Sequence, residues 1–173
     1  MNVKSVSGRV IFKFRTEPVS LVGNSSSANW DESGYGRVKQ ILITYDEDAI
    51  NSIQIVYIQD GYVKLAPRHG GDGDNFFAFG LASNEHFTSV TGHFGVTKTT
   101  NETVIRSLCF KTNLGSFGPF GCVQGTPFSF DFSSTSGTFY GFHGSSNSRY
   151  LTAIGVYVDV SDLKRFQYSP GPS

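Results

Sequence analysis

Strict alternation of apolar and polar residues is the feature that most constrains the fold of this chain. In each alternating segment, one face carries mainly β-branched or aromatic residues. A period of two residues places every second side chain on the same side of a β-strand, so this pattern is typical of half-buried strands. Seven segments show it: residues 9–14, 38–45, 52–58, 76–81, 104–110, 128–132 and 153–160.

Turn-forming residues separate these segments, and no window has three helical turns of apolar residues. Ten to twelve short, closely spaced strands within 173 residues predict an all-β domain, which could be a sandwich, a barrel or a prism. We expect one domain over residues 1–168. Residues 169–173 contain two prolines and are predicted to form a flexible tail.

The charge balance excludes several classes of partner. The chain has 14 Lys and Arg residues against 14 Asp and Glu residues, so its formal net charge is zero. Nucleic-acid-binding proteins normally carry a basic excess, and we therefore expect no nucleic-acid partner.

The apolar runs are too short to span a bilayer, which predicts no membrane insertion. The N-terminus has no signal-peptide pattern, so we expect a cytoplasmic protein, or a secreted one if the chain is a processed fragment.

The residues that usually carry out chemistry are scattered. The four histidines lie in separate segments without metal-ligand spacing, and the chain contains neither a nucleophile elbow nor a phosphate-binding loop. We therefore expect no enzymatic activity, no metal and no cofactor. Cys109 and Cys122 are too few for a disulfide framework, and two free thiols are favoured over a single bridge.

A series of short motifs over residues 29–160 is similar in order and spacing to the jacalin-related lectins of plants. The resemblance implies a β-prism of three four-stranded Greek-key sheets, with a sugar site at one end and no catalysis. It also implies glycans or glycoproteins as partners, and leaves open a homodimer or a larger homo-oligomer. The motifs are WD at 30–31, SIQIVY at 52–57, HGGDG at 69–73, TSVTG at 88–92, IRSL at 105–108, FKTN at 110–113, GPFG at 118–121, GTPF at 125–128, GFHG at 141–144 and YLTAIGVYV at 150–158.

Mannose-binding members of that family hold their sugar with three loops, the last of which carries a Gly-x-x-x-Asp motif before the final strand. On this chain the motif falls on residues 148–152, where Ser148 replaces the glycine and Thr152 replaces the aspartate. A charged acceptor contributes about 1.5–3 kcal/mol per hydrogen bond, so its loss predicts weaker binding. The backbone N–H groups of Arg149, Tyr150 and Leu151 are expected to remain available to a sugar.

The other two loops supply further candidates. The glycine that approaches the sugar in the first loop would fall near Ser26 or Ser27, whose side chains could crowd the site or add hydroxyl groups to it. In the third loop, His93 and Phe94 could stack on a sugar, the alternative being that they belong to an apolar strand in the core. A second, symmetry-related site would use residues 46–51 with residues 69–73, although a solvated acidic turn is the favoured interpretation there.

These observations support two hypotheses. The first is a carbohydrate-binding lectin for mannose- or glucose-type glycans with an altered and weakened primary site. The second is a jacalin-like scaffold that has lost sugar binding and acts through contacts with other proteins. The missing aspartate favours the second hypothesis, and the otherwise intact loop pattern favours the first.

Overall fold

The computed structural model describes the backbone of residues 2–6, 9–14, 27–131 and 138–159, and the side chains of residues 27–131 and 141–157. All regular secondary structure in these ranges is β-strand, as predicted. The fourteen described strands are β1 (Asn2–Val6), β2 (Arg9–Phe14), β3 (Ala28–Asp31), β4 (Arg37–Tyr45), β5 (Ile50–Gln59), β6 (Tyr62–Leu65), β7 (His69–Gly70), β8 (Asn75–Gly80), β9 (Phe87–Val96), β10 (Thr103–Thr112), β11 (Ser116–Gly121), β12 (Thr126–Asp131), β13 (Thr138–Ser146) and β14 (Leu151–Asp159).

The strands form three antiparallel sheets, which confirms the predicted three-sheet architecture. Two sheets have the Greek-key order, β6-β5-β4-β8 and β11-β10-β9-β12. The third sheet, β1-β2-β14-β13-β3, combines strands from both ends of the chain.

The expectation of four strands in every sheet needs a correction, because two of the sheets have five. In one of them, the N-terminal hairpin of β1 and β2 extends the sheet beyond β14. In the other, β6 and β7 pair with successive parts of β5, and the chain leaves that edge around Pro67. Proline has no N–H group to donate, so an interruption of the edge strand there is expected.

The core lies between the sheets and is built from the predicted alternating faces. Ile53, Ile55 and Tyr57 on β5 are fully buried, as are Ile41 and Ile43 on β4. All three sheets contribute to this single large cluster. The core therefore holds the sheets at fixed relative positions, and the turns at their ends inherit those positions.

Candidate ligand-binding site

Three hairpin turns come together at one end of the molecule. They are the 46–49 turn between β4 and β5, the 97–102 turn between β9 and β10, and the 147–150 turn between β13 and β14. Each sheet supplies one of them. Contacts between side chains and backbone join the turns, and the segment identified from the sequence, residues 148–152, lies in the 147–150 turn and the first two residues of β14.

The 147–150 turn is closed by its own first residue. The Oδ1 atom of Asn147 accepts hydrogen bonds from the backbone N–H groups of Arg149 at 2.9 Å and Tyr150 at 2.7 Å. The Asn147 N–H group donates to the carbonyl oxygen of Tyr150 at 3.0 Å. The expectation of free donors at residues 149 and 150 therefore needs a correction, because an asparagine side chain can satisfy the turn that follows it.

Thr152 lies in a break of the β13–β14 ladder. Ser145 pairs with Ala153 and Ser146 pairs with Leu151, so Thr152 has no opposite residue. Thr152 is only 1% exposed, and its hydroxyl group lies 3.0 Å from the Ser145 hydroxyl group. Thr152 is thus internally bonded rather than open to solvent.

The predicted residues of this segment differ in accessibility. Tyr150 and Leu151 are fully buried, and Tyr150 packs with Ala49 and Val104 in a small apolar cluster. Ser148 and Arg149 are exposed. A ligand at this turn would therefore meet the Ser148 and Arg149 side chains first.

His93 and Phe94 are the seventh and eighth of the ten residues of β9 and lie before the 97–102 turn. The Nδ1 atom of His93 is 2.7 Å from the Ser107 hydroxyl group, and Phe94 packs in the large core cluster with Phe128. Three residues separate His93 from Thr97, so these two residues lie about 13 Å apart along an extended chain. The structure does not bring these two residues together with the 147–150 turn.

Other residues of the third loop make that contact. The Thr99 hydroxyl group lies 3.4 Å from the Tyr150 hydroxyl group, and the Asn147 Nδ2 atom donates to Glu102 Oε1 at 3.4 Å. Sequence analysis missed Asn147, Thr99 and Glu102 as members of the site. The signal was their position at the tips of two predicted hairpins, where asparagine and threonine often bond to nearby backbone.

Of the two residues predicted in the first loop, only Ser27 is among the described residues. Ser27 is half-buried, and its hydroxyl oxygen is buried without a hydrogen-bond partner. Ser26 lies outside the described residues. Trp30, on β3, is partly buried and packs against the core, and its ring stacks on the His69 ring with centroids 4.0 Å apart and planes 4° apart.

A buried polar network lies beside this stack. The carboxylate of Glu32, which is 1% exposed, accepts a hydrogen bond from the Tyr57 hydroxyl group at 2.7 Å and contacts His69 Nε2 at 2.7 Å. Burial and the neighbouring Glu32 raise the pKa of Tyr57 well above its ordinary value. Tyr57 therefore stays protonated and acts as a donor, which helps to fix His69 at the start of the 69–73 segment.

The second predicted region, residues 46–51 with 69–73, is packed tightly against the first. Gly71 is buried, and a β-carbon placed on it would lie 2.2 Å from the carbonyl oxygen of Ser148. The Asn51 Nδ2 atom donates to the carbonyl oxygen of Arg149 at 3.2 Å. Asp46 caps its own turn, with Oδ1 accepting from the N–H groups of Asp48 and Ala49. The two predicted regions are therefore in direct contact, through Gly71 and Asn51.

One ion pair is buried at this end of the molecule. The Arg106 Nη2 atom donates to Asp48 Oδ1 at 2.6 Å, and both side chains are almost inaccessible. Burial alone would raise the pKa of Asp48, but hydrogen bonds from the Lys98 N–H group, Arg106 and Thr99 outweigh it and hold that pKa below its ordinary value. Arg106 also donates to Cys122 Sγ at 3.4 Å, and Cys122 and Cys109 are both free thiols.

Two absences apply to the described part of the chain. No three His, Cys, Asp or Glu side chains there lie close enough together to hold a metal ion. None of its elements is a helix of the length and apolar character needed to cross a membrane. The hydrogen bonds described above make the candidate site a surface of turns with hydroxyl, amide and backbone groups, and such groups suit recognition of a polyhydroxylated ligand.

Three sheets, two of them Greek keys, with hairpin turns gathered at one end, define a β-prism of the lectin class. The model of the jacalin-like lectin domain matches residues 19–157, and the chain belongs to this family of carbohydrate-binding proteins. The solved structure of AcmJRL, a mannose-binding jacalin-related lectin from Ananas comosus, superposes with a TM-score of 0.73 at 28% identity. The match covers 88% of this chain and 98% of that one.

Two relatives from Arabidopsis thaliana illustrate the range of the family. Jacalin-related lectin 3 is 35% identical over 140 residues, which are 79% of this chain but only 23% of that protein. The chain therefore spans about a quarter of the length of this relative. Protein RESTRICTED TEV MOVEMENT 1 is 33% identical over 78% of this chain and 79% of its own length, and its name is not that of a lectin.

Proposed function

We propose that this chain is a lectin for mannose- or glucose-type glycans that binds weakly at the 147–150 turn. The family and the similarity to a mannose-binding lectin support the sugar class. The observation that carries the proposal is the convergence of the 97–102 and 147–150 turns through Thr99, Tyr150, Asn147 and Glu102. The proposal is one of binding alone, without a chemical step.

The weak affinity has two causes in this proposal. The first is the absence of a carboxylate at residue 152, where a buried threonine bonded to Ser145 stands instead. The second is the Asn147 side chain, which occupies the N–H groups of Arg149 and Tyr150. A sugar hydroxyl must compete with an existing hydrogen bond for those donors, and the exchange of one bond for another gains little free energy.

The test combines a glycan array with calorimetric titration of the best mannoside. We expect Thr152→Asp to strengthen binding, and Ser148→Gly together with Thr152→Asp to strengthen it further, by up to about 10- to 100-fold for one well-placed charged acceptor. The two effects should not be additive, because both residues lie in one segment. Ser116→Asp adds the same charge at an exposed position on β11 and controls for the added charge alone, with unchanged affinity expected.

A second function, a scaffold that acts through protein contacts, is favoured by one specific observation. The 147–150 turn is already satisfied by Asn147, and Thr152 is buried, so this segment can be stable without any ligand. If the folded protein binds no glycan on the array and the variants bind no better than the parent, the scaffold is supported over the lectin. Binding to mannosides above other sugars would support the lectin.

A further inference from the structure

The carboxylate of Asp48 belongs to one turn but bonds to another. Asp48 is 6% exposed, and its Oδ2 atom accepts hydrogen bonds from the N–H groups of Lys98 at 3.0 Å and Thr99 at 3.4 Å. The Thr99 hydroxyl group donates to the same oxygen at 3.2 Å. Oδ1 accepts from Arg106 Nη2, and the Asp48 carbonyl oxygen accepts from Arg106 Nε at 3.1 Å. Asp48 thus links the 46–49 turn to the 97–102 turn and to β10.

The 97–102 turn depends on this link at its tip. Its base is closed internally, because the Thr97 N–H group donates to the Glu102 carbonyl oxygen at 2.9 Å. The Thr100 N–H group donates to Thr97 Oγ1 at 3.2 Å. The N–H groups of Lys98 and Thr99 are directed at Asp48, which lies fifty residues earlier in the chain. A backbone donor that loses its acceptor returns to water, and the turn then has less to hold its shape.

The tip of the 97–102 turn is also the part that contacts the 147–150 turn. Thr99, which donates to Asp48, lies next to the Tyr150 hydroxyl group. Asp48 can therefore set the distance between the two turns that form the candidate site, although Asp48 itself is buried.

We propose that Asp48 is a positioning residue that fixes the conformation of the 97–102 turn and, through it, the affinity of the carbohydrate site. The effect on affinity rests on the proposed lectin function, whereas the effect on the turn does not. Asp48 makes no ligand contact in this proposal, because its carboxylate is buried and occupied by protein donors.

The test compares Asp48→Asn with Asp46→Asn in the full chain. Asparagine at residue 46 can keep the turn cap, as Asn147 does naturally, so Asp46→Asn is a matched change on the same turn. Amide hydrogen exchange, measured by NMR, should become roughly tenfold faster at Lys98 and Thr99 in Asp48→Asn and should not change there in Asp46→Asn. Affinity for the best mannoside should fall roughly tenfold in Asp48→Asn, because a turn that is no longer held in place must be ordered when the sugar binds.

A third variant separates positioning from general stability. Val38→Ala removes core volume at the opposite end of β4 and is expected to lower the melting temperature without changing exchange at Lys98 or affinity. If Asp48→Asn does not fold, Thr99→Val keeps the ion pair with Arg106 and should speed exchange at Lys98 by a smaller factor.

Two outcomes overturn the proposal. One is unchanged exchange at Lys98 and Thr99 in Asp48→Asn, or unchanged exchange at Lys98 in Thr99→Val if that variant must be used. The other is an affinity loss in Val38→Ala equal to that in Asp48→Asn. If the parent binds no glycan, the proposed lectin function fails, and the exchange measurements still decide whether Asp48 holds the turn.

Discussion

Asp46 and Asn147 make the same three turn-closing hydrogen bonds at the ends of two different sheets. Each side-chain Oδ1 accepts from the N–H groups two and three residues later, at 2.8 and 2.8 Å for Asp46 and at 2.9 and 2.7 Å for Asn147. Each backbone N–H group donates to the carbonyl oxygen three residues later. Five residues after each cap, a register shift leaves Asn51 and Thr152 unpaired in the ladder. The 46–49 and 147–150 turns are thus structural repeats.

The bond between Ser145 and Thr152 gives the first prediction. Thr152→Val should leave the buried Ser145 hydroxyl group without a partner and lower the free energy of unfolding by about 1–3 kcal/mol. Adding Ser145→Ala should recover part of that loss, because the unsatisfied group is then removed as well. Chemical denaturation of both single variants and the double variant would measure the coupling, and strictly additive losses would contradict the prediction.

The buried ion pair gives the second prediction. Arg106→Met should lower the free energy of unfolding by about 3–5 kcal/mol, because it leaves the Asp48 charge buried without its partner. Combining Arg106→Met with Asp48→Asn should restore part of the stability. Urea denaturation provides the measurement, and Arg68→Met, which breaks the exposed pair with Asp72, is the matched control with a change of less than about 1 kcal/mol.

The third prediction concerns pH. The pKa of Asp48 is lowered in the folded protein. The ionised carboxylate therefore contributes stability at pH values above 3.8, the ordinary pKa of this group. That contribution should disappear as the pH falls below this value and through the folded-state pKa. Arg106 is the charged side chain in contact with Asp48. The difference in melting temperature between the parent and Asp48→Asn should be constant near neutral pH and shrink below about pH 4. A constant difference down to pH 2 would argue against it.

The fourth prediction concerns Gly71. A β-carbon there would lie 2.2 Å from the Ser148 carbonyl oxygen, so Gly71→Ala must displace the 147–150 turn. We expect a loss of about 1–3 kcal/mol in the free energy of unfolding and NMR shift changes at Ser148 and Arg149. Gly115→Ala is the control, since a β-carbon on Gly115 meets no atom within 4 Å. Equal effects of the two alanine substitutions would show that the contact is unimportant.

Much of the strand pattern could be predicted from the sequence because strand faces are a local property. The alternation placed Ile53, Ile55 and Tyr57 on one face of a strand, and all three are buried together. The same rule did not predict that Ile105 and Arg106 would both be buried. A register shift between Ile105 and Ser107 interrupts the alternation there. The counterion of Arg106 is Asp48, which lies in a turn of another sheet.

The candidate site was less predictable because its bonds join distant parts of the chain. The position of Thr152 was found through a family motif, but its burial depends on the bulge opposite Ser145 and Ser146. The pairing of Asp48 with the Lys98 N–H group spans fifty residues and leaves no local pattern. Such contacts follow only from the packing of the three sheets.

The stack of Trp30 on His69 gives the protein a built-in optical reporter. Trp30 is the only tryptophan in the sequence, so intrinsic fluorescence excited at the indole band comes from one known place. Its ring lies against Gly144 of β13, close to the 147–150 turn, and its partner His69 begins the segment that packs on Ser148. A glycan that shifts either turn should change the emission, so binding can be followed with an unlabelled protein and an unlabelled sugar.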